Sequence, residues 1–463
     1  METVNGKGQI LDGHIFIYPA DEERVDIHDL QSFMRRNIQY AQEYKHNMQM
    51  YLGNHDILKQ QRRMYGPDNR LVANLPHYIV DTYNGFFTGI PPKISLDDEA
   101  NNKALQQWND TNSLQDKLSE ISKQTDIYGR SFAFVYQDEA SNTCVAYASP
   151  VEAFMIYDDT VARKPFAFVR YWRNTESGLW CGTIYYADGI ENFAGTSVED
   201  TETPNPYSMV PAVEFYGNEE RQGVFDNVKT LIDALDKVLS QKANQVEYFD
   251  NAYLKILGLD LDEDGDGLPD ANLIGNQMIY SPNVDASNAD VGFISKPDGD
   301  NMQEHIIDRL VSMIYQVSMV ANLNDEAFAG NSSGVALQYK LLPMRNMAAN
   351  KERKFRQALR KLYRVIFSAG KVTKSKEAWQ DLVFDFKRNL PINMADEADT
   401  LQKLSGIVSK ETAFRNSSLI DDPKKEIERM KKEKQEAMEE ALKYAPSATD
   451  QMKNAGDTND DEE

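Results

Sequence analysis

Between residues 27 and 65, Ile27, Leu30, Phe33, Met34, Ile38, Tyr40, Ala41 and Tyr44 recur at spacings of three and four, which predicts a helix. A second apolar segment, 71–88, is broken by Pro91-Pro92. A polar helix is predicted over 98–128, with Leu105, Trp108, Leu114, Leu118 and Ile121 on one face. The period then changes. Segments 131–136, 143–148, 165–172 and 179–186 are rich in aromatic and β-branched residues, and turn sequences stand at 174–178 and 187–189, so an antiparallel meander is predicted. Residues 1–223 are expected to form an α+β region.

The second half is patterned differently. One long amphipathic helix is predicted over 224–257, with Val228, Leu231, Ile232, Leu235, Val238, Leu239, Val246, Phe249 and Tyr253 on its apolar face and a length of ~50 Å. A second covers 302–321, with Ile306, Ile307, Leu310, Val311, Ile314, Val317 and Val320. The acidic insert between them, 258–301, holds strand candidates at 277–280 and 292–295, which makes a stalk with a tip. A two-helix hairpin cannot bury both apolar faces by itself, so Leu235, Val238, Leu239, Ile307, Leu310 and Ile314 are expected to pack on neighbouring copies. A loop of small and polar residues follows at 322–334. A helix is predicted from 335 to about 368 with Pro343 as a kink, then a short strand at 382–387 and helices over 395–445. Residues 446–463 are polar and acidic and are expected to be disordered.

At 463 residues the chain is too long for one ordinary core, and its aromatic (10%) and charged (27%) content is that of a folded protein. Cys144 and Cys181 make no disulfide framework, the N-terminus has no signal-peptide pattern, and no stretch approaches the ~18 apolar residues of a membrane span. A net charge of −23 argues against a surface that grips nucleic acid throughout. One segment opposes that trend. Lys340, Arg345, Lys351, Arg353, Lys354, Arg356, Arg360, Lys361 and Arg364 share a helix with a single acid, Glu352. This helix could meet DNA phosphates, or neutralise acidic neighbours across a subunit interface.

The run 330–336 (Gly-Asn-Ser-Ser-Gly-Val-Ala) lacks the lysine of a phosphate-binding loop and reads as a hinge before a helix. Asp262, Asp264, Asp266 and Asp270, with Gly267 among them, match the first three-quarters of a calcium-binding loop, but Leu273 stands where a bidentate Glu is expected. The run is open to two readings, a Ca²⁺ site or a solvated acidic turn. The six histidines show no zinc spacing, and no nucleophile elbow occurs, so no enzyme is expected.

Four runs carry a resemblance. Segment 322–341 opens Asn322-Leu-Asn-Asp-Glu-Ala-Phe-Ala-Gly330; segment 404–413 (Leu-Ser-Gly-Ile-Val-Ser-Lys-Glu-Thr-Ala) precedes Asp421-Asp-Pro; and 79–92 is joined by 126–132 (Asp-Ile-Tyr-Gly-Arg-Ser-Phe). With these the chain, from about Asn37 to Glu433, resembles the portal proteins of long-tailed phages of Gram-positive bacteria. The resemblance implies a dodecameric ring at one capsid vertex of the virion, assembled in the host cytoplasm, that passes double-stranded DNA in packaging and ejection. It implies as partners the terminase large subunit, scaffolding and major capsid proteins and a head–tail adaptor. It assigns 1–223 to a wing, 224–257 and 302–321 to a stem, and 258–301 to a clip. Residues 322–334 become a tunnel loop, 335–394 a kinked wing helix with its return strand, and 395–445 a crown. Asn322, Asn324, Asp325, Glu326, Asn331, Ser332 and Ser333 would then line the DNA channel. The alternative is an oligomeric capsid scaffold or adaptor without a channel.

Overall fold

The computed structural model describes residues 2–3, 6–11, 14–64, 66–199, 203–250, 254–258, 278–281, 289–293, 300–324, 338–389, 394–415, 417, 420 and 423–444. The chain divides into two units, Met1–Asn389 and Leu390–Glu463. The first opens with strands β1 (Glu2–Thr3), β2 (Gln9–Leu11) and β3 (Ile15–Tyr18), then helices α1 (Ile27–Tyr51), α2 (Asp56–Lys59) and α3 (Leu75–Thr88). Strand β4 (Lys93–Ser95) and helices α4 (Glu99–Thr111) and α5 (Leu114–Tyr128) follow. Asp26 starts α1 by accepting the His28 N–H, and α1 buries Leu30, Phe33, Met34, Ala41, Tyr44 and Met50 on one face.

Next come β5 (Arg130–Gln137), β6 (Thr143–Ala148), β7 (Ala153–Asp158), β8 (Pro165–Arg173), β9 (Trp180–Tyr185), β10 (Gly189–Ala194), β11 (Ser197–Val198), β12 (Thr203–Pro204) and β13 (Ala212–Tyr216). They do not form the single meander that the sequence predicts. Strands β5 and β6 join β13 in a three-stranded sheet, while β7 to β10 extend a larger sheet that begins with β1 to β3. The seam is the parallel pair β3–β7, with Phe16 opposite Ile156; every other pair in the large sheet is antiparallel. Phe16, Phe33, Phe154, Val169 and Tyr186 fill the core between α1 and this sheet. Phe132, Phe134, Met155 and Phe168 form a second core where the two sheets meet. The structure is α+β.

The predicted helix over 98–128 is two helices. Ser113 adopts φ +49°, and Asn112 donates to Trp108 O (3.1 Å) and accepts from Val145 N (3.2 Å), which ties the break to β6. Helix α6 (Lys229–Asp250) is shorter than predicted, about 33 Å for its 22 residues. The apolar run after it is strand β14 (Leu254–Leu257), central in a small sheet, parallel to β15 (Met278–Ser281) and antiparallel to β16 (Asp290–Phe293). Helix α7 (Asp300–Ser318) returns along α6. Helix α8 (Leu342–Ser368) has Pro343 in its first turn, where a missing N–H needs no partner; residues 338–340 before it are also helical, and the turn at Leu341 separates the two segments beside this proline. Strand β17 (Val383–Asp385) pairs with β4. The second unit holds α9 (Met394–Leu404), α10 (Lys410–Arg415) and α11 (Pro423–Tyr444).

Candidate functional site: the two-helix stem and its root

Helices α6 and α7 make an antiparallel hairpin with the β14–β16 sheet at its far end. Gln303 near the start of α7 donates to Gln245 near the end of α6 (2.8 Å), and Lys242 pairs with Glu304. Ile232, Leu235 and Ile314 are buried to 0–1% exposure and close the hairpin and its root. Leu235 and Ile314, assigned from sequence to a neighbouring copy, are therefore already covered within one chain. Val238, Leu239, Ile307 and Leu310 are half-buried. Among the described residues, the apolar side chains that stay in solvent are others and include Val246 (55%), Met302 (67%), Ile306 (43%) and Val317 (43%). Removing each from water is worth about 1.5–3 kcal/mol at most.

The hairpin is fastened at its root by polar contacts from several elements. Asp236 of α6 accepts from His55 Nδ1 (2.5 Å) and from the Ala73 N–H (2.8 Å). His55 Nε2 faces Met50 O at 3.0 Å. Both ring nitrogens of this buried side chain thus face acceptors, an arrangement that favours the protonated ring. Burial opposes that charge, but the hydrogen bond and charge of Asp236 outweigh it and raise the His55 pKa. The segment before α3 runs along α6: Leu71 N donates to Ser240 Oγ (2.8 Å) and Asn69 N to Asn244 Oδ1 (2.5 Å). Asn47 of α1 donates to Ile127 O and to Asp226 Oδ1, both at 2.9 Å, and joins α1, α5 and the entry to α6.

At the other end of α7, Tyr78 packs edge-on against Tyr315 (5.8 Å), and its hydroxyl accepts the Leu323 N–H at 2.9 Å. Asn322 Oδ1 accepts from Asn324 N at 3.2 Å. The start of the predicted channel loop is therefore pinned to α3. Of the other expected channel residues, Asp325, Glu326, Asn331, Ser332 and Ser333 lie outside the described residues. So do the expected metal ligands Asp262, Asp264, Asp266 and Asp270. Among the described residues, no group of three or more His, Cys, Asp or Glu is placed to hold a metal.

Helix α8 carries part of its positive charge inward. Lys351 is buried, with Nζ 2.7 Å from both Asp126 oxygens and 2.8 Å from Ser122 Oγ, beneath Tyr83, Phe87 and Phe355 at 4.7–5.3 Å. Burial pushes Asp126 up to about 6 although the ammonium opposes it, and burial draws Lys351 down. On β13, Glu214 accepts from Tyr157 (2.5 Å) and Arg221 (3.0 Å), with Arg130 at 3.4 Å. Burial alone would raise its pKa; the two guanidiniums bring it down to about 2. Gly129, between α5 and β5, has φ +84°, and a Cβ there would lie 1.8 Å from Arg221 O, so glycine admits the loop that delivers Arg221. Sequence reasoning missed these buried pairs. The one available signal was Asp126, Gly129 and Arg130 standing together in the run 126–132.

Compared with known proteins, residues 31–440 match the family described as phage portal protein, SPP1 Gp6-like. The chain is 22% identical over 436 residues to the portal protein of Clostridium phage phiCD119, covering 86% of this chain and 94% of that one. It is 22% identical over 429 residues to the portal protein of Bacillus phage SPP1, covering 83% of this chain and 82% of that one.

Proposed function

The chain belongs to the phage portal protein family, and from that premise we propose that its copies form the ring at one capsid vertex through which double-stranded DNA is packaged and ejected. The supporting observation is the α6–α7 hairpin, which is rooted in the α+β body, carries a small sheet at its far end and leaves Val246, Met302, Ile306 and Val317 in solvent. In a ring of such hairpins, dodecameric on this reading, these side chains find partners on neighbouring copies. The acidic composition, −23 per chain, repels phosphates and lets DNA slide without capture. Residues 322–334, held at their start by Tyr78, would line the channel. The sheet at the stem's end would dock the terminase large subunit and later a head–tail adaptor, and the body would meet scaffolding and major capsid proteins. The role is structural rather than catalytic. No described helix is long and apolar enough to cross a membrane.

Negative-stain images of the purified protein should show rings with a central hole; monomers or filaments would count against the ring. Cysteine pairs placed across adjacent 322–334 loops, with Cys144 and Cys181 replaced, address the channel. Cross-linked rings should lose DNA packaging and recover it on reduction. Normal packaging through fully cross-linked loops would favour a scaffold or adaptor without a channel.

A further inference from the structure

Helix α8 also turns a row of cations outward. Arg356, Arg360 and Arg364 recur every four residues, about 6 Å apart along the axis. Each guanidinium lies over an aromatic ring, Phe386 at 5.4 Å, Phe384 at 5.9 Å and Trp379 at 5.4 Å. Stacking fixes these groups without consuming all their in-plane N–H donors. Arg356 is already paired with Glu352 at 2.6 Å. Arg360, Lys361 and Arg364 are exposed, and among the described residues none of them forms an ion pair. Glu377, Asp381 and Asp385 on the facing segment are exposed too and make no ion pair with them.

These cations form one wall of a cleft of about 710 Å³ whose other wall is Trp379, Leu382, Val383 and Phe384. That size is typical of a binding cleft. Beyond Lys361 and Arg364 lies a second cavity of about 770 Å³, where Arg163 and Lys164 add positive charge. Its acids, Glu214 and Glu219, are engaged by Arg221 and Lys354.

We propose that this cleft docks an acidic peptide segment of a partner protein, with carboxylates on Arg360, Lys361 and Arg364 and an apolar side chain against Trp379 and Val383. The apolar wall decides between the two polyanions such a row could meet. A DNA duplex would present phosphates and sugars to it, whereas a peptide satisfies both walls.

The test is fluorescence anisotropy of the full-length protein with a labelled peptide, Glu-Asp-Glu-Phe-Asp-Leu-Glu-Asp, and in parallel with a labelled random-sequence duplex. Peptide binding should saturate and weaken with salt. It should fall at least ~tenfold in the double variant Arg360→Glu/Arg364→Glu and in Val383→Asp, and stay unchanged in Arg35→Glu on α1. If charge reversal lowers the melting temperature, Arg360→Gln/Arg364→Gln carries the same comparison. The proposal is overturned if the peptide does not bind, if its affinity ignores these substitutions, or if the duplex binds more tightly and is the ligand that charge reversal releases. The titration does not read ring formation, so its failure and that of the portal reading are separable.

Discussion

Three buried ionic centres of the first unit respond to pH and to substitution in different ways. Glu214 falls from 4.5 to about 2 on folding, so its contribution is present above pH 4.5 and is lost as pH drops toward 2. The shift corresponds to roughly 3 kcal/mol. Glu214→Gln should cost about that much at pH 7 in chemical denaturation, with the gap to the parent closing below pH 4.5; a gap that persists at low pH would remove the carboxylate from the account. His55 runs the other way. Its folded pKa is raised above 6.5, so its stabilisation is complete below 6.5 and fades as pH rises through the folded value. The melting temperatures of the parent and His55→Gln should converge with rising pH. Asp126 and Lys351 form a pair whose partners are costly to separate. Asp126→Asn strands an ammonium under three rings and should cost about 3–5 kcal/mol, while Asp126→Leu combined with Lys351→Met should recover most of that loss. A double variant no more stable than the single would refute the coupling.

At the scale of elements, helices with one strong apolar face were legible in the sequence, and changes of partner were not. The α1 pattern, Leu30, Phe33, Met34, Ala41 and Tyr44, is the face the helix buries. Strands β5, β6, β8 and β9 were recognised, but nothing local says that β8 and β9 belong to a different sheet from β5 and β6, because the large sheet is joined through β7 by a long-range parallel contact with β3. Strand β7, a nearly continuous apolar run, shows no alternation to read. Leu254, Ile256 and Leu257 fit either period and were absorbed into the helix before them. The pair of long helices with a small sheet between them was legible, yet apolarity alone could not sort residues that close the hairpin from those that face outward. Burial does sort them, and it separates two outcomes. Leu235→Asp should unfold the root, seen as a lost thermal transition. Val246→Asp combined with Ile306→Asp should leave the melting profile of the subunit intact and weaken assembly by about 2–4 kcal/mol in analytical ultracentrifugation. Intact assemblies of that double variant would move the interface elsewhere. The motif 126–132 was legible only as a string. Its physical content, a buried partner for Lys351, a close approach at Gly129 and a cation beside Glu214, needed helix α8 and the 221 loop to be in place.

At the scale of the molecule, the contacts proposed to build the assembly fall in Met1–Asn389. The two apolar cores described above, the α6–α7 hairpin, its His55–Asp236 root and the Tyr78 anchor of the segment after α7 all fall inside that unit. In the second unit, among the described residues, every side chain of α11 from 428 to 440 is exposed, and Lys432 and Glu436 form an i,i+4 pair at 3.8 Å on its surface. Exposed pairs of this sort are worth about 0.3–0.5 kcal/mol each, too little to hold a ring. A protein ending at Asn389 should therefore melt cooperatively within a few degrees of the full chain and form assemblies with the same subunit number. Sedimentation velocity and negative-stain images of the two forms, prepared side by side, make the comparison. Should the shortened protein keep its circular-dichroism spectrum and melting temperature yet remain monomeric, the contacts that close the ring would have to be reassigned from the stem to helices α9–α11.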